Sequence, residues 1–313
     1  MLFRSVAFAN PILEGLDRII FLKHNKQGRG SRHMIDQYLG FNAAPGGGVF
    51  VLSQPFGPEP GVRDLLADAV IANGRLAGRQ LGGSGSFISL ELGYDAEEIL
   101  FAWTEGTHAL PETAPADGQF YTPDEAKRLG ANRYYHYRPD STYHIFRARA
   151  DGSELRQLTD GRWNDFDPCF LPNGRILFVS ERGEGGIRCG SRPLVSTTLH
   201  AMMPDGSDII PLSQHDTNEW HPSINHDGMI VYTRWDYVDR DSDIAHHIWQ
   251  CHPDGRDPRS LHGNYPEVRE ARPWMEMSIR AIPGSHRYVA TATPHHGEAY
   301  GSLVLRSEEH TSE

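Results

Sequence analysis

Apolar residues in this chain come in short runs punctuated by glycine, proline, asparagine and aspartate. That pattern predicts many short strands joined by turns rather than long helices. Arg18–Leu22 and Gly48–Leu52 read as strands, as do Gly85–Asp95 and Ile99–Trp103. Tyr143–Arg149 alternates apolar and polar positions, whereas Ile176-Leu-Phe-Val179 is continuously apolar and predicts a strand buried on both faces. Arg287–Ala292 has strand character as well. Only Val62–Leu76 predicts one or two helical turns, and residues 104–132 read as a long polar, proline-rich loop.

These segments repeat. Tyr143–Arg182 aligns with Thr198–Trp235 at a constant offset of 54 residues, which places Asp151-Gly152-Ser153 on Asp205-Gly206-Ser207, Asp167-Pro168 on His221-Pro222, and Gly174 on Gly228. A third copy opens at His247, with Asp254-Gly255 lying 49 residues beyond Asp205-Gly206, and a looser copy precedes the first. Asp-Gly supplies the positive-φ positions of a tight hairpin turn, and Pro172-Asn173-Gly174 supplies the next turn. A unit of this kind cannot bury both faces alone, and stacking around an axis hides them while leaving only short edges. The predicted fold is therefore all-β, a β-propeller of four-stranded antiparallel blades with roughly four to six of them in this chain. A solenoid or a sandwich is the architectural alternative.

Composition narrows the function classes. The 313 residues suffice for a substantial core, and 32 glycines with 21 prolines fit a turn-rich fold. A formal net charge of −11 argues against nucleic acid, whose binding rests on Lys and Arg neutralising phosphates. No run of apolar residues is long enough to span a membrane, and the first residues lack a signal-peptide pattern. Residues 1–305 read as a propeller fragment truncated at both ends. The last eight, RSEEHTSE at 306–313, match the translation of a sequencing adapter and read as an artefact. Three cysteines (Cys169, Cys189 and Cys251) show no C-x-x-C spacing, so neither a disulfide framework nor a zinc ribbon is expected; one disulfide with a free thiol stays open.

The D-G-S and P-N-G-R-I-x-F stretches resemble the TolB-type, WD-like propeller repeat. More specifically, DGRWNDFDPCFLPNGRILFVSER, TNEWHPSINHDGMIVYTRWDYVDRDSD and IPGSHRYVATATPHHGEAYGSLVL resemble proteins related to the hydrazine synthase alpha subunit, over about residues 16–305. In that family the region holds a c-type haem on C-x-x-C-H, with a tyrosine four residues on as iron ligand and the histidine on zinc. The resemblance places His296 and Tyr300 at the histidine and tyrosine, while Ala292 and His295 stand where the two cysteines would be. Covalent haem is thereby excluded at this place. Family context implies a periplasmic or secreted protein.

Seventeen histidines keep metal chemistry open, because neutral imidazole is a common ligand for zinc or iron. Cys169, His221, His295 and His296 form the candidate metal set and Tyr300 the candidate cofactor ligand, provided that the Asp/His-Pro motif opens each inner strand. The bland alternatives are turn capping by Asp167 and His221 and a core role for Cys169. Asp236, Asp239, Asp241 and Asp243 offer carboxylates to a hard cation or simply form a solvated loop. A G-x-S-x-G elbow, a P-loop and a dinucleotide fingerprint are all absent. The expected function is an extracytoplasmic scaffold that binds a protein or small ligand at one propeller face. The alternative is a metal- or haem-dependent redox subunit of the hydrazine synthase type.

Overall fold

The computed structural model describes residues 13, 15–25, 34–106, 139–183, 196–236, 246–261, 275–293 and 301–307. Among them the chain is built almost wholly of antiparallel meanders. The first joins β1 (Arg18–Lys23), β2 (Gly48–Ser53) and β3 (Gly61–Asp64). The second joins β4 (Ser86–Leu92), β5 (Glu98–Thr104), β6 (His144–Arg149) and β7 (Arg156–Gln157). The third runs through β8 (Asp165–Phe170), β9 (Ile176–Ser180), β10 (Thr198–Met202) and β11 (Ile210–Pro211). The fourth comprises β12 (Asn218–Ile224), β13 (Ile230–Trp235), β14 (His246–Cys251) and β15 (Arg259–Ser260). β16 (Met275–Ala281), β17 (Arg287–Thr293) and β18 (Ser302–Ser307) complete the order, and a single parallel pair, His246 with Met275, ties them to the fourth meander.

Each meander begins with its innermost strand. β4, β8 and β12 lie at sheet edges, β16 follows β14 through that one parallel pair, and the four pack against one another in succession, with β1 beside β4. Their flat faces are covered by neighbouring sheets, which is why β9 (ILFVS) and β10 (TLHAM) are buried at every position. One core cluster, including Phe87, Phe101, Trp103 and Phe146, lies between the first two sheets. Another, including Phe166, Phe178, Trp220 and Tyr232, joins the sheets that follow. Each of these large side chains contributes about 2–3 kcal/mol by leaving water.

The repeat seen in the sequence is a repeat in space. Gly152, Gly206 and Gly255 take φ of 95°, 90° and 82° in the β6–β7, β10–β11 and β14–β15 turns. A Cβ on each would fall 2.1, 2.3 and 2.2 Å from the carbonyl oxygen of Leu65, Leu158 and Leu212, each of which ends the preceding meander. The glycine thus lets one sheet close against its neighbour. In the first two turns the Asp151 and Asp205 carboxylates accept the Ser153 and Ser207 hydroxyls, both at 2.6 Å.

Val62–Leu76 departs from its expected helical turns. Val62 pairs with Leu52 in β3, and Val70 forms an isolated bridge with Gln80. Leu65, Leu66, Ile71 and Leu76 are buried between the first two sheets, so burial and edge pairing outweigh local helical preference. β18 continues without a break through Arg306 and Ser307, which pair with Tyr288 and Arg287. No helix among the described residues is long and apolar enough to cross a membrane. Nearly all of the 104–132 insertion, Cys189, Asp239, Asp241 and Asp243 lie outside the described residues.

Candidate functional site at the propeller axis

Four inner strands share one irregularity. The register shifts between Ile88 and Glu91 in β4, Phe166 and Cys169 in β8, Trp220 and Ser223 in β12, and Met277 and Arg280 in β16. Each bulge contains a non-glycine residue at positive φ: Ser89 at 61°, Asp167 at 49°, His221 at 49° and Ser278 at 54°. Such conformations cost about 1 kcal/mol each and persist only when the surroundings hold them. Proline follows in two cases, Pro168 and Pro222; lacking an N–H, it suits an edge strand at a bulge. The Asp/His-Pro motif therefore lies within the inner strands and does not open them.

The bulges turn these residues toward one another. Ser89 Oγ donates to Asp167 Oδ1 at 2.6 Å, and the His221 backbone N–H donates to Asp167 Oδ2 at 2.9 Å. The Ser278 backbone N–H donates to His221 Nδ1 at 3.1 Å. Nδ1 is therefore an acceptor, and the imidazole proton belongs on Nε2. Nε2 lies 2.5 Å from Tyr38 Oη, so the imidazole donates there. Tyr38 comes from a short 3₁₀ segment, Met34–Tyr38, and stacks on Phe166 with ring centroids 4.3 Å apart.

Burial is the main electrostatic influence on this chain of groups. Burial lowers the His221 imidazole, against the pull of the Asp167 carboxylate. Burial also raises the Tyr38 phenol well above its usual value, and Asp167 adds to that shift. At the rim Arg280 pairs with Glu91 across 2.9 Å, linking β16 to β4, and burial raises the Glu91 carboxyl despite that guanidinium. Tyr143, which also faces the space, has its phenol pushed up to about 12 by burial. Tyr38, Ser89, Tyr143, Asp167, His221, Ser278 and Arg280 line a cavity of about 360 Å³ that also borders on Ile88, Leu90 and Pro222. The volume is that of a small-molecule site.

Of the residues singled out from sequence, His221 lies at the centre of this site with both ring nitrogens engaged. Direct ligation of a metal by His221 would require Tyr38 to leave Nε2. Cys169 is buried in β8, its sulfur 3.7 Å from the Phe170 carbonyl oxygen, and burial raises its thiol. Cys169 and Cys251 are both free. His295, His296 and Tyr300 lie outside the described residues. Sequence reasoning missed Tyr38, Ser89 and Ser278. The two serines carry no Pro-linked motif, and only alignment of their strands with β8 and β12 could have marked them.

No family model matches the sequence, and no curated protein matches it. Among solved structures, hydrazine synthase from Kuenenia stuttgartiensis superposes with a TM-score of 0.62 at 14% identity, over 94% of this chain. This chain spans 38% of that one. A chain of a nidogen/laminin complex superposes at 0.50 and 10% identity, over 86% of this chain and 74% of its own length. TolB from Acinetobacter baumannii gives 0.49 and 11%, over 94% and 51% of the two chains. The resemblance to hydrazine synthase read from the sequence is thus present in the fold, and at this identity the likeness concerns the fold alone.

Proposed function

We propose that this propeller is an extracytoplasmic binding scaffold whose axial cavity takes a small polar ligand. One observation carries the reading: four successive inner strands adopt the same strained bulge, and together they turn Ser89, Asp167, His221 and the Ser278 N–H toward one space. Strain repeated at one locus and linked by hydrogen bonds is a mark of a prepared site. The periplasmic or secreted setting rests on the TolB-like repeat. In this reading the chain carries five blades, with β1–β3 and β16–β18 as the described strands of the first and last.

The test is a thermal-shift screen of small polar compounds, with hits measured by calorimetry. A hit should bind the parent protein with one-site stoichiometry. Ile88→Trp, which fills the cavity, should abolish binding, and Tyr38→Phe should weaken it about tenfold, the share of one hydrogen bond. Hits that bind Ile88→Trp as well as the parent would refute the axial site.

A second reading draws on the superposition with hydrazine synthase. In it His295, His296 and Tyr300, together with His221 and Cys169, serve a redox subunit that holds zinc or iron. Metal analysis and an absorbance scan of purified protein separate the two. Stoichiometric metal lost in His296→Ala supports the redox subunit, and a colourless, metal-free protein rejects it.

A further inference from the structure

Away from the axis, a second group of ligand-type side chains gathers where two sheets meet. His226 and Asp227 occupy the β12–β13 turn, and His286 the turn from β16 to β17. One ligand atom from each of the three lies within 4.8 Å of the other two. The imidazole centroids are 4.6 Å apart with the rings inclined at 73°, and His226 Nε2 lies 3.5 Å from Asp227 Oδ2. All three residues are exposed.

The turns that carry them are held in place independently. Asn225 Oδ1 accepts the backbone N–H groups of Asp227 and Met229 at 3.0 and 2.9 Å, which fixes the first turn. Asn225 Nδ2 donates to Tyr288 Oη at 3.1 Å, a buried bond from the first turn to the start of β17. Ser223 Oγ donates to the Ile279 carbonyl at 2.8 Å, a second link between β12 and β16. The ligand-bearing turns are thus preset relative to each other, and only exposed side chains need to move.

We propose that His226, Asp227 and His286 form a zinc site that bridges the fourth meander and β16–β18. Two imidazoles and a carboxylate make a borderline-soft donor set suited to zinc and other late first-row divalent ions. Around a tetrahedral zinc, ligand atoms stand roughly 3.3–3.5 Å apart, so the group must close by up to about 1.5 Å, within reach of side-chain rotation. The fourth position stays open to water or to an outside ligand. A chain with a formal net charge of −11 favours the arriving cation.

The position gives the ion a mechanical role. The parallel pair of His246 with Met275 ties these sheets at the end where β13 finishes and β16 begins. The proposed site lies at the opposite end of β12 and β16, away from that pair and, among the described residues, without strand pairing between the two hairpins. A bound ion would staple that end and stabilise the native state by mass action. The site is separate from the axial cavity and from the residues that line it.

Calorimetry with zinc chloride on the chelator-treated full chain tests the proposal. His226→Ala, His286→Ala and His296→Ala variants serve alongside the parent. The parent should show a site with a dissociation constant of about 10 μM or tighter. That site should be lost in His226→Ala and in His286→Ala and kept in His296→Ala. Zinc should raise the melting temperature of the parent and leave those two variants unmoved. Cobalt substitution should give a visible absorption band that disappears in the same two. The proposal falls if either of the two variants titrates like the parent, if the site is lost in His296→Ala instead, or if the parent binds more weakly than that limit. Unchanged circular dichroism in the variants excludes unfolding as the cause of any loss.

Discussion

The outer Asp-Gly turns and the inner bulges recur along the same chain, each with one pair at a 54-residue offset (Asp151 with Asp205, Asp167 with His221), yet they repeat different things. The outer turns repeat their residues: Asp-Gly at all three positions, with Ser following in two, in matching environments against a neighbour's leucine carbonyl. The inner bulges repeat only their backbone, and the side chains change from Ser89 to Asp167 to His221 to Ser278. Where one residue solves a packing problem, repetition preserves it. Where the backbone is kept and the chemistry varied, the strands present different groups to a shared space, as a binding site requires. This contrast separates architecture from function within a single chain.

The largest effect expected from it lies outside. Gly206→Ala places a methyl 2.3 Å from the Leu158 carbonyl oxygen at a φ of 90°, so both steric overlap and backbone strain oppose it. A loss of about 3 kcal/mol is expected in urea unfolding. Gly174→Ala is the control, since it shares a positive φ of 83° but has open space around its Cβ; it should lose only about 1 kcal/mol. Equal losses at the two would mean that the outer glycines serve turn conformation alone and not sheet-to-sheet closure.

Next comes Asp167→Ala at the inner bulge. It strands the Ser89 hydroxyl and the His221 N–H, and about 2 kcal/mol should be lost. Asp167→Asn keeps an acceptor and tolerates positive φ, so it should lose less than half as much. An alanine variant as stable as the parent would show that the carboxylate's burial already cancels its hydrogen bonds.

How much of this could be read beforehand follows from the same contrast. Asp-Gly and Asn-Gly are local signals, so the turns at Gly152, Gly174, Gly206 and Gly228 were legible, and so were the strands they join. Asp167 and His221 were visible as an aligned pair, though only as turn caps or metal ligands. Their hydrogen bond to each other depends on how β8 meets β12, which no local pattern encodes. Ser89 and Ser278 were invisible because the bulge there is dictated by position in the ring rather than by proline. Tyr38 was missed because its segment has no repeat partner. Val62–Leu76 misled because its leucines are spaced to suit a helix, yet they fill the gap between two sheets.

The two regions also separate on the pH axis. Burial lowers the imidazoles of His144, His200 and His221. The His144 Nε2–H donates to the Pro139 carbonyl at 2.8 Å, while its buried Nδ1 has no hydrogen-bond partner to receive a second proton. Below about pH 6.5 the unfolded chain binds protons that the folded one refuses, so stability falls with pH from there toward the folded values. Each such histidine steepens the slope by up to about 1.4 kcal/mol per pH unit, and His144→Gln should remove one share. The outer Asp151 and Asp205 behave oppositely: their serine hydrogen bonds hold both carboxyls below the usual value. Their contribution is present above the ordinary carboxylate range and is lost as pH falls through the lowered values. Urea melts from pH 3 to 8 should show two separate limbs. A stability profile flat between pH 5 and 7 would contradict the buried neutral histidines.

The finest discrimination comes from one bond made twice. Ser89 meets Asp167 across 2.6 Å at the axis, and Ser153 meets Asp151 across 2.6 Å on the outside. Donor, acceptor and length agree; the access of water differs, and the outer bond lies within one turn while the axial one joins two strands. A double-mutant cycle with Ser89→Ala and Asp167→Ala should give a coupling of about 1 kcal/mol, because a partly buried hydroxyl–carboxylate bond has no solvent substitute. The matching cycle with Ser153→Ala and Asp151→Ala should give a smaller one, because water replaces either partner in part. Equal couplings would mean that the interior of the axial site is as wet as the outer surface. In that case the cavity would lose its claim to hold a polar ligand more tightly than bulk water does.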